Sequence, residues 1–570
     1  MFADNTPISA LTSMVWDEWL GQMAKGYARL HERKAAAILH GIKSGVNVDF
    51  EGERGIDRVC QNLKSATTGE AEQQVNAIIE ADCKAGKKSG PHARKPFTTM
   101  SVSPIGAVPK KNGKLRVIHH LSFPFGGDSI NASTVDIKIE LGRLDHAADA
   151  IRALGPGCLL IKLDVEAAYK QVPVRREDWP LLGFKWRGHW FYERTLPFVL
   201  KSSCRLWELY ATALHHFFEH DLGIKCVVHY IDDFLFVLKP DMELAEADLK
   251  RALELCIRLG IPIAGDKTEG PCTLLTFLGI ELDTVNMTAS LSQAKLSELQ
   301  TLLRRWGRAT SASVNELQSL TGVLNWACSV VRPGRAFMRR IIDHTKEVCR
   351  AQAAAGQGRQ GHRNIRAAIP ESVQQDIRWW QQFAPEFNGV SLLYEQHWTE
   401  SPKLELYTDA CQKGFGALWK HRYIYGPWSR SVLSQAQRRT TLSMPFLELH
   451  AIVLAVATWG RHWATHKIVL HTDCMPALHA INSRSSRDPA MAALVRQLMT
   501  FAARWNFDLR AKHVPGVLNV AADALSRDDL QVFRDYMQSR ADGPEAVQGA
   551  PQVSQLQHDP TPPLPPLSSM

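Results

Sequence analysis

Two β-prone runs, Cys226-Val227-Val228-His229-Tyr230 and Phe234-Leu235-Phe236-Val237-Leu238, leave only Ile231-Asp232-Asp233 between them. Apolar runs this close pair as an antiparallel hairpin, which puts two carboxylates at the turn. Upstream, Gly157-Cys158-Leu159-Leu160-Ile161-Lys162-Leu163 is an apolar run of strand length that delivers Asp164 at its carboxyl end, and Glu166 to Tyr169 turn away as a helix start. Taken singly, Asp232-Asp233 reads equally well as a solvated turn and Asp164 as a helix cap. Together they suit a site for two Mg²⁺ about 3.5 to 4 Å apart, which needs a cluster of hard oxygen ligands.

Around these strands the chain is long: 570 residues predict roughly three to five domains. The expected fold class is α+β multidomain. Residues 1–69 read as an N-terminal helical extension without visible chemistry, and 70–285 mix short strands (Leu115 to His119, Leu274 to Leu282) with helices (Ser202 to His220, Leu244 to Leu259). Leu296, Leu299, Leu302, Leu303 and Trp306, then Leu317, Leu320, Val323 and Leu324, recur at three- and four-residue steps and mark a helical segment over 286–345. Residues 346–399 read as a connection, with Ala351 to Arg363 a linker and Pro370 to Phe383 a short helix. A second α+β unit is expected at 400–530. The tail 531–570 ends in Pro562-Pro563-Leu564-Pro565-Pro566 and is expected to be disordered.

Composition removes several classes. At 45% apolar and 22% charged, with no window of 18 consecutive apolar residues, a membrane span is not expected, and Leu449 to Trp459 has the length of a buried helix. The start, Met1-Phe2-Ala3-Asp4-Asn5, lacks a secretory pattern, so an intracellular protein is expected. The 11 cysteines form no C-x-x-C pair and read as reduced core thiols. Lys and Arg total 67 against 58 Asp and Glu, a net +9. The segment from Lys84 to Arg116 carries Lys84, Lys87, Lys88, Arg94, Lys95, Lys110, Lys111, Lys114 and Arg116 with no acid. That segment is either a solvated basic loop or a phosphate-tracking surface.

A second acid set lies further on. Leu404 to Thr408 reads as a strand ending in Asp409, followed by strands at Gly414 to Trp419 and Tyr423 to Trp428. Ser443 and Pro445 suit the first turn of a helix that carries Glu448 through to Trp463. Lys467 to Leu470 is a strand with Asp473 just past it; a helix at Pro489 to Trp505, a strand at Phe507 to Lys512 and a helix holding Asp523 complete a βββαβαβα order. Each acid alone is a common cap or surface group. Four of them at strand ends and helix starts suit a second two-metal site.

These residues carry a resemblance. Tyr230-Ile231-Asp232-Asp233 resembles the Y-x-D-D box of reverse transcriptases, and Leu163-Asp164-Val165-Glu166-Ala167-Ala168-Tyr169 resembles their first catalytic motif. Leu196-Pro197-Phe198 is similar to their substrate-binding motif, Gly265-Asp266-Lys267-Thr268 to the lysine motif, and Phe277-Leu278-Gly279-Ile280 to the primer-grip hairpin. The stretch Val108-Pro109-Lys110-Lys111-Asn112-Gly113-Lys114-Leu115-Arg116-Val117-Ile118-His119-His120-Leu121 resembles the fingers of gypsy-type and especially DIRS-like retrotransposon polymerases. Tyr407-Thr408-Asp409-Ala410, Leu447-Glu448-Leu449, His471-Thr472-Asp473, and His513-Val514-Pro515-Gly516 with Ala522-Asp523-Ala524-Leu525-Ser526-Arg527 look like a retroelement ribonuclease H domain.

What the resemblance implies is a right-hand polymerase of fingers, palm and thumb followed by a ribonuclease H-like domain. It makes Asp164, Asp232 and Asp233 ligands of two Mg²⁺ and Tyr169 a steric gate against the ribonucleotide 2′-hydroxyl. Arg116 and Lys114 would meet the incoming triphosphate, Phe198 would line its pocket and Lys267 would donate a proton to pyrophosphate. Asp409, Glu448, Asp473 and Asp523 would hold a second Mg²⁺ pair, with His513 in product release or proton transfer. Mn²⁺ is a possible substitute. Partners would be an RNA template, a DNA primer, dNTPs and the RNA–DNA hybrid, whose RNA strand is distinguished by its 2′-hydroxyls.

One position departs from the pattern. Val199 stands where the related motif has glycine after Leu-Pro-Phe, and a β-branched residue resists positive φ and adds bulk, which would weaken nucleotide binding. The alternatives are therefore a nucleic-acid-binding remnant with impaired catalysis, or a ribonuclease acting alone. No aspartic-protease box, His-His-Cys-Cys array or His-x-x-Arg of a tyrosine recombinase is present, so an integration enzyme is expected on a separate chain.

Overall fold

The computed structural model describes residues 11–562 apart from 12, 22–30, 111–112, 125–126, 356–365, 387, 392–397, 399–405, 439–442 and 543–552. They form two compact units that divide between Leu278 and Gly279.

In the first unit the central strand Leu159–Asp164 carries Leu159, Ile161 and Leu163 on one face and Leu160, Lys162 and Asp164 on the other, and all but Lys162 are buried. It pairs antiparallel with Asp233–Leu238 on one side and Glu269–Cys272 on the other, and Val227–Tyr230 completes four strands. Helix Ser203–His216 buries Leu206, Trp207, Tyr210 and Leu214, while Met242–Leu259 starts at the Asp241 cap, which accepts from the Leu244 N–H, and stops at left-handed Gly260. A hairpin, Ile105–Pro109 against Leu115–His119, sits over a separate core containing Ile79, Phe184 and Phe191.

Three sequence expectations change here. The described residues of the N-terminal helical extension are part of the main core: Trp16, Ile38, Val46 and Val48 pack with Leu163 and Phe236, and the Trp16 indole donates to the Leu259 carbonyl at 2.9 Å. The Glu166–Tyr169 stretch forms a 3₁₀ turn over Ala168–Gln171 rather than starting an α-helix, after Ala167 turns left-handed at φ 49°. The basic segment is neither one loop nor one phosphate-tracking surface. Lys88 is buried against Asp82 (2.6 Å) and Glu193 (3.0 Å), Lys95 pairs with Asp57, and only part of the segment faces solvent. A buried ammonium needs carboxylates, and these three acids lie outside the run that looked uniformly basic.

The second unit begins with Ile280–Asp283 paired to Thr288–Leu291, then helices Gln293–Gly307, Val314–Ala327, Arg339–Ala355 and Glu371–Glu386. Arg339–Ala355 passes straight through the expected boundary at 345/346 because its buried positions Ile341, Thr345 and Val348 keep helical spacing. The rest of the expected linker, 356–365, lies outside the described residues. Strands Leu406–Ala410, Gly414–Trp419 and Arg422–Pro427 form a meander, and Lys467–Thr472 pairs in parallel with Asp508–His513. Three helices exceed the expected βββαβαβα order: Arg430–Gln437, capped by Ser429; Met475–Ser483, with Pro476 in its first turn; and Leu530–Asp542. The apolar helix Ser443–Trp459 with its continuation to Trp463 is long and apolar enough to cross a membrane, against the sequence expectation, but 78% of that window is buried inside the protein. It is the core helix of this unit.

The tail also departs from expectation. Gln557–His558 adds to Arg422–Pro427 as a parallel strand, and Asp559, 3% exposed, accepts two hydrogen bonds from Arg422 (2.7 and 2.8 Å) and one from the Trp459 indole (2.7 Å). Prolines flanking a short polar segment forbid a core of its own, yet they leave it free to dock on an existing edge. Residues after 562 lie outside the described ones. All 11 cysteines are free.

Candidate active sites

Register decides the first site. In the antiparallel ladder Asp164 stands opposite Asp233, and the Val165 N–H donates to the Asp232 carbonyl at 2.9 Å. Asp164 thus meets the distant Asp232-Asp233 pair at one end of the sheet. Tyr230 pairs with Asp233 across a two-residue turn whose first residue, Ile231, has φ 58°. That is the φ pattern of a type II′ turn, where glycine is usual; a β-branched residue there is strained. Trp207, fully buried, holds the strained unit by donating its indole N–H to the Ile231 carbonyl at 2.8 Å.

Electrostatics follow from that crowding. Burial raises Asp233 to about 6, with the Asp232 and Asp164 charges adding, and burial also raises Asp232. Lys267 donates to Asp164 at 2.7 Å, and this contact raises the lysine in turn. On the nucleotide side, the Arg116 guanidinium lies 4.6 Å over the Phe198 ring, whose centroid is 5.8 Å from that of Tyr169. Arg116 is also close enough to favour ionised Asp232, and burial pushes the Tyr169 phenol up. Lys114 is solvent-exposed just before the strand that carries Arg116.

Val199 does not adopt a left-handed backbone, so the expected conformational conflict does not arise. Its carbonyl accepts from Asn131 Nδ2 at 2.8 Å, while Asn131 Oδ1 accepts from the Lys201 N–H at 2.9 Å. Asn131 therefore pins the loop that presents Phe198. Sequence reasoning passed over Asn131, Trp207 and Cys204, whose thiol meets Tyr169. Nothing local signals them, because their roles come from contacts with distant segments.

The family comparison bears on this unit. Residues 108–282 match the family model described as reverse transcriptase (RNA-dependent DNA polymerase). The chain carries a reverse transcriptase domain. The relatives of this domain include the Gag-Pro-Pol polyproteins of Simian retrovirus SRV-1, 25% identical over 251 residues, and of Mason-Pfizer monkey virus, 26% over 253. Each match covers 43% of this chain and 13% of the relative, so the chain spans about an eighth of the length of these polyproteins. Among solved structures, a foamy viral protease-reverse transcriptase with double-stranded DNA is 13% identical, covering 88% of this chain and 82% of that one at a TM-score of 0.46. That likeness is too loose to decide the arrangement of the chain.

Beyond the reverse transcriptase domain, a second acid cluster forms where the meander, the core helix and the parallel strand pair meet. Asp409 ends its strand buried, and Ser526 donates to it at 2.6 Å. Burial, with the charges of Asp523 and Asp473, raises Asp409 to about 6. Glu448 goes to about 9, chiefly through burial and then through Asp409 and Asp473, although the Ala410 N–H donates to it. Asp409 therefore feels Asp473 and Asp523, and Glu448 feels Asp409 and Asp473. Asp523 is gripped by Arg527 Nε at 2.8 and 2.9 Å. His513 is exposed and stands beside Thr472 in the parallel register, one residue from Asp473. Ser526 and Arg527 lie inside the quoted motif, but no role for them is legible there.

Among the described residues, no three His, Cys, Asp or Glu side chains are yet arranged to enclose a metal ion. The raised carboxylates nonetheless fit a divalent cation at both places, since clustered ionised acids are costly until a cation neutralises them.

Proposed function

We propose that this chain is an RNA-directed DNA polymerase that also hydrolyses the RNA strand of RNA–DNA hybrids, and that it derives from a retrotransposon of the gypsy or DIRS-like type. The observation that carries the polymerase half is the convergence of Asp164, Asp232 and Asp233 at one sheet end, facing Lys267, Arg116 and Phe198. These three acids would hold two Mg²⁺, and Asp409, Glu448, Asp473 and Asp523 a second pair. Mn²⁺ is an acceptable substitute on the same oxygen ligands. Bound there, the ions would lower the pKa of the attacking hydroxyl or water and neutralise charge developing on the phosphate.

The chain's own groups do the rest. Arg116 sits to take the triphosphate of a dNTP, Phe198 and Tyr169 to shape the sugar pocket, and Lys267 to give a proton to departing pyrophosphate. At the second cluster Asp409 and Glu448, held by Ser526 and the Ala410 N–H, keep their oxygens fixed, while exposed His513 is free to carry a proton at the water-facing edge. Template RNA, primer DNA and hybrid are the nucleic-acid partners. With Val199 outside the left-handed region, the backbone ground for reading a catalytically impaired remnant falls away, and the bulk of its side chain is the ground that stays.

Primer extension on a homopolymer RNA template with Mg²⁺, followed by hybrid digestion on the same preparation, tests both halves. Wild type should do both. Incorporation that survives Asp232→Asn, or hydrolysis that survives Asp409→Asn, refutes the corresponding half.

A further inference from the structure

Six cationic side chains line a cavity of about 490 Å³ in the second unit: Arg339, Arg340, Lys346, Arg350, Arg487 and Arg496. Four come from helix Arg339–Ala355, Arg487 from the loop after Met475–Ser483, and Arg496 from helix Pro489–Arg504. None belongs to either acid cluster. Arg339, Asp343, Lys346 and Arg350 follow at three- and four-residue steps, so one helix face forms a wall.

Charge is not balanced inside. Arg339 donates to Asp343 at 2.6 Å, and Glu347 is the other acid on the lining. Deeper in, Arg340 meets Asp376 at 3.3 Å, and this carboxylate, 1% exposed, also faces Arg496. Arg496 is itself 2% exposed, and burial together with neighbouring Arg340 pushes it down to about 10. Six cations thus meet three carboxylates, with Arg496 buried at the base and Lys346, Arg350 and Arg487 open to solvent, and such a site gains from an anion. The adjacent helix terminus contributes little, because Asp488 already accepts from the Ala490 and Met491 N–H groups.

We propose that this cavity binds a ligand bearing two or more adjacent phosphate groups. Guanidinium forks on three separate elements suit several phosphate oxygens at once, where a single small anion would reach only one wall. The volume lies in the range of small-ligand pockets and accommodates a short oligophosphate. Two sources share this chemistry, consecutive phosphates of a nucleic-acid strand and a free oligophosphate. The proposal stands whether or not either catalytic reading holds.

The experiment uses the full-length chain with sodium tripolyphosphate and an RNA–DNA hybrid as probes, read by thermal shift and fluorescence anisotropy. The variant is Arg350→Glu with Arg487→Glu, both solvent-exposed. For a free oligophosphate, tripolyphosphate should raise the wild-type Tm saturably, sulfate at equal ionic strength should not, and the double variant should bind at least about 10-fold more weakly. For a strand, the variant should instead lose about 10-fold in hybrid affinity at low salt. Its slope of log affinity against log salt should flatten by about 0.9 for each phosphate contact removed. Arg350→Gln alone, a neutral change on an exposed helix face, should show a smaller loss in the same direction and covers a double variant that fails to fold. Equal binding of both probes by wild type and the Gln variant overturns the proposal.

Discussion

The carboxylates of the first unit are set opposite each other by a strand ladder, whereas those of the second come from a strand end, a helix, another strand end and a last helix. Their charge is handled differently as well. Lys267 touches Asp164 directly, so the first cluster brings a cation of its own. In the second, a hydroxyl serves Asp409, the one guanidinium holds the outer Asp523, and Glu448 is left to rise to about 9. Backbone register can force acids together while leaving space for a lysine. In the second cluster Arg527 reaches only the outer Asp523 while Glu448 is buried on its helix, so this cluster depends more on protons or an added cation.

The largest expected effects break the two regions apart. Asp232→Asn should lower primer extension by about 10³-fold and leave hybrid hydrolysis within about 2-fold; Asp409→Asn should do the reverse, both measured on one preparation. Equal loss of both activities from either change would mean the clusters are not independent.

Glu448→Gln sharpens the contrast in charge. Raised from 4.5 to about 9, Glu448 favours the protonated folded state, so its metal-free stability contribution is full below pH 4.5 and is lost as pH climbs toward 9. In chelator at pH 9 the Gln variant should therefore unfold at higher denaturant than wild type, by on the order of 2 to 3 kcal/mol, while hydrolysis is abolished. The difference should vanish at pH 4. A variant less stable than wild type at pH 9 would contradict the charge cost assigned to this carboxylate.

Lys267→Met tests the cation specific to the first cluster. Polymerase kcat should fall about 10²-fold with hydrolysis unaffected, as judged by single-turnover incorporation. The smallest effect is expected at Asn131→Ala. Freeing the 199–201 loop should raise KM for the nucleotide about 5- to 10-fold and change kcat little, the size of one or two hydrogen bonds. An unchanged KM would remove Asn131 from the positioning of Phe198.

The strands around Asp164 and Asp232-Asp233 were legible because buried apolar runs bounded by turns carry their own signal. The helical run from 293 was equally plain in its periodicity, and only its end was misplaced, since Ala351 to Ala355 extend a helix whose core positions lie further back. Docking of the tail was invisible. Its anchor, Asp559, draws on Arg422 and Trp459, which no local pattern links to it. The same holds for Lys88, an apparent surface base that Asp82 and Glu193 bury.

Sequence alone determined which residue types stand at strand ends and helix starts, because hydrophobic period and turn chemistry act over a few neighbours. Tertiary structure alone decided which acids face one another, which lysine neutralises them, and which guanidiniums enclose the basic cavity. Those outcomes depend on distances between segments far apart in the chain, where Coulomb energy and burial act and no local pattern reaches.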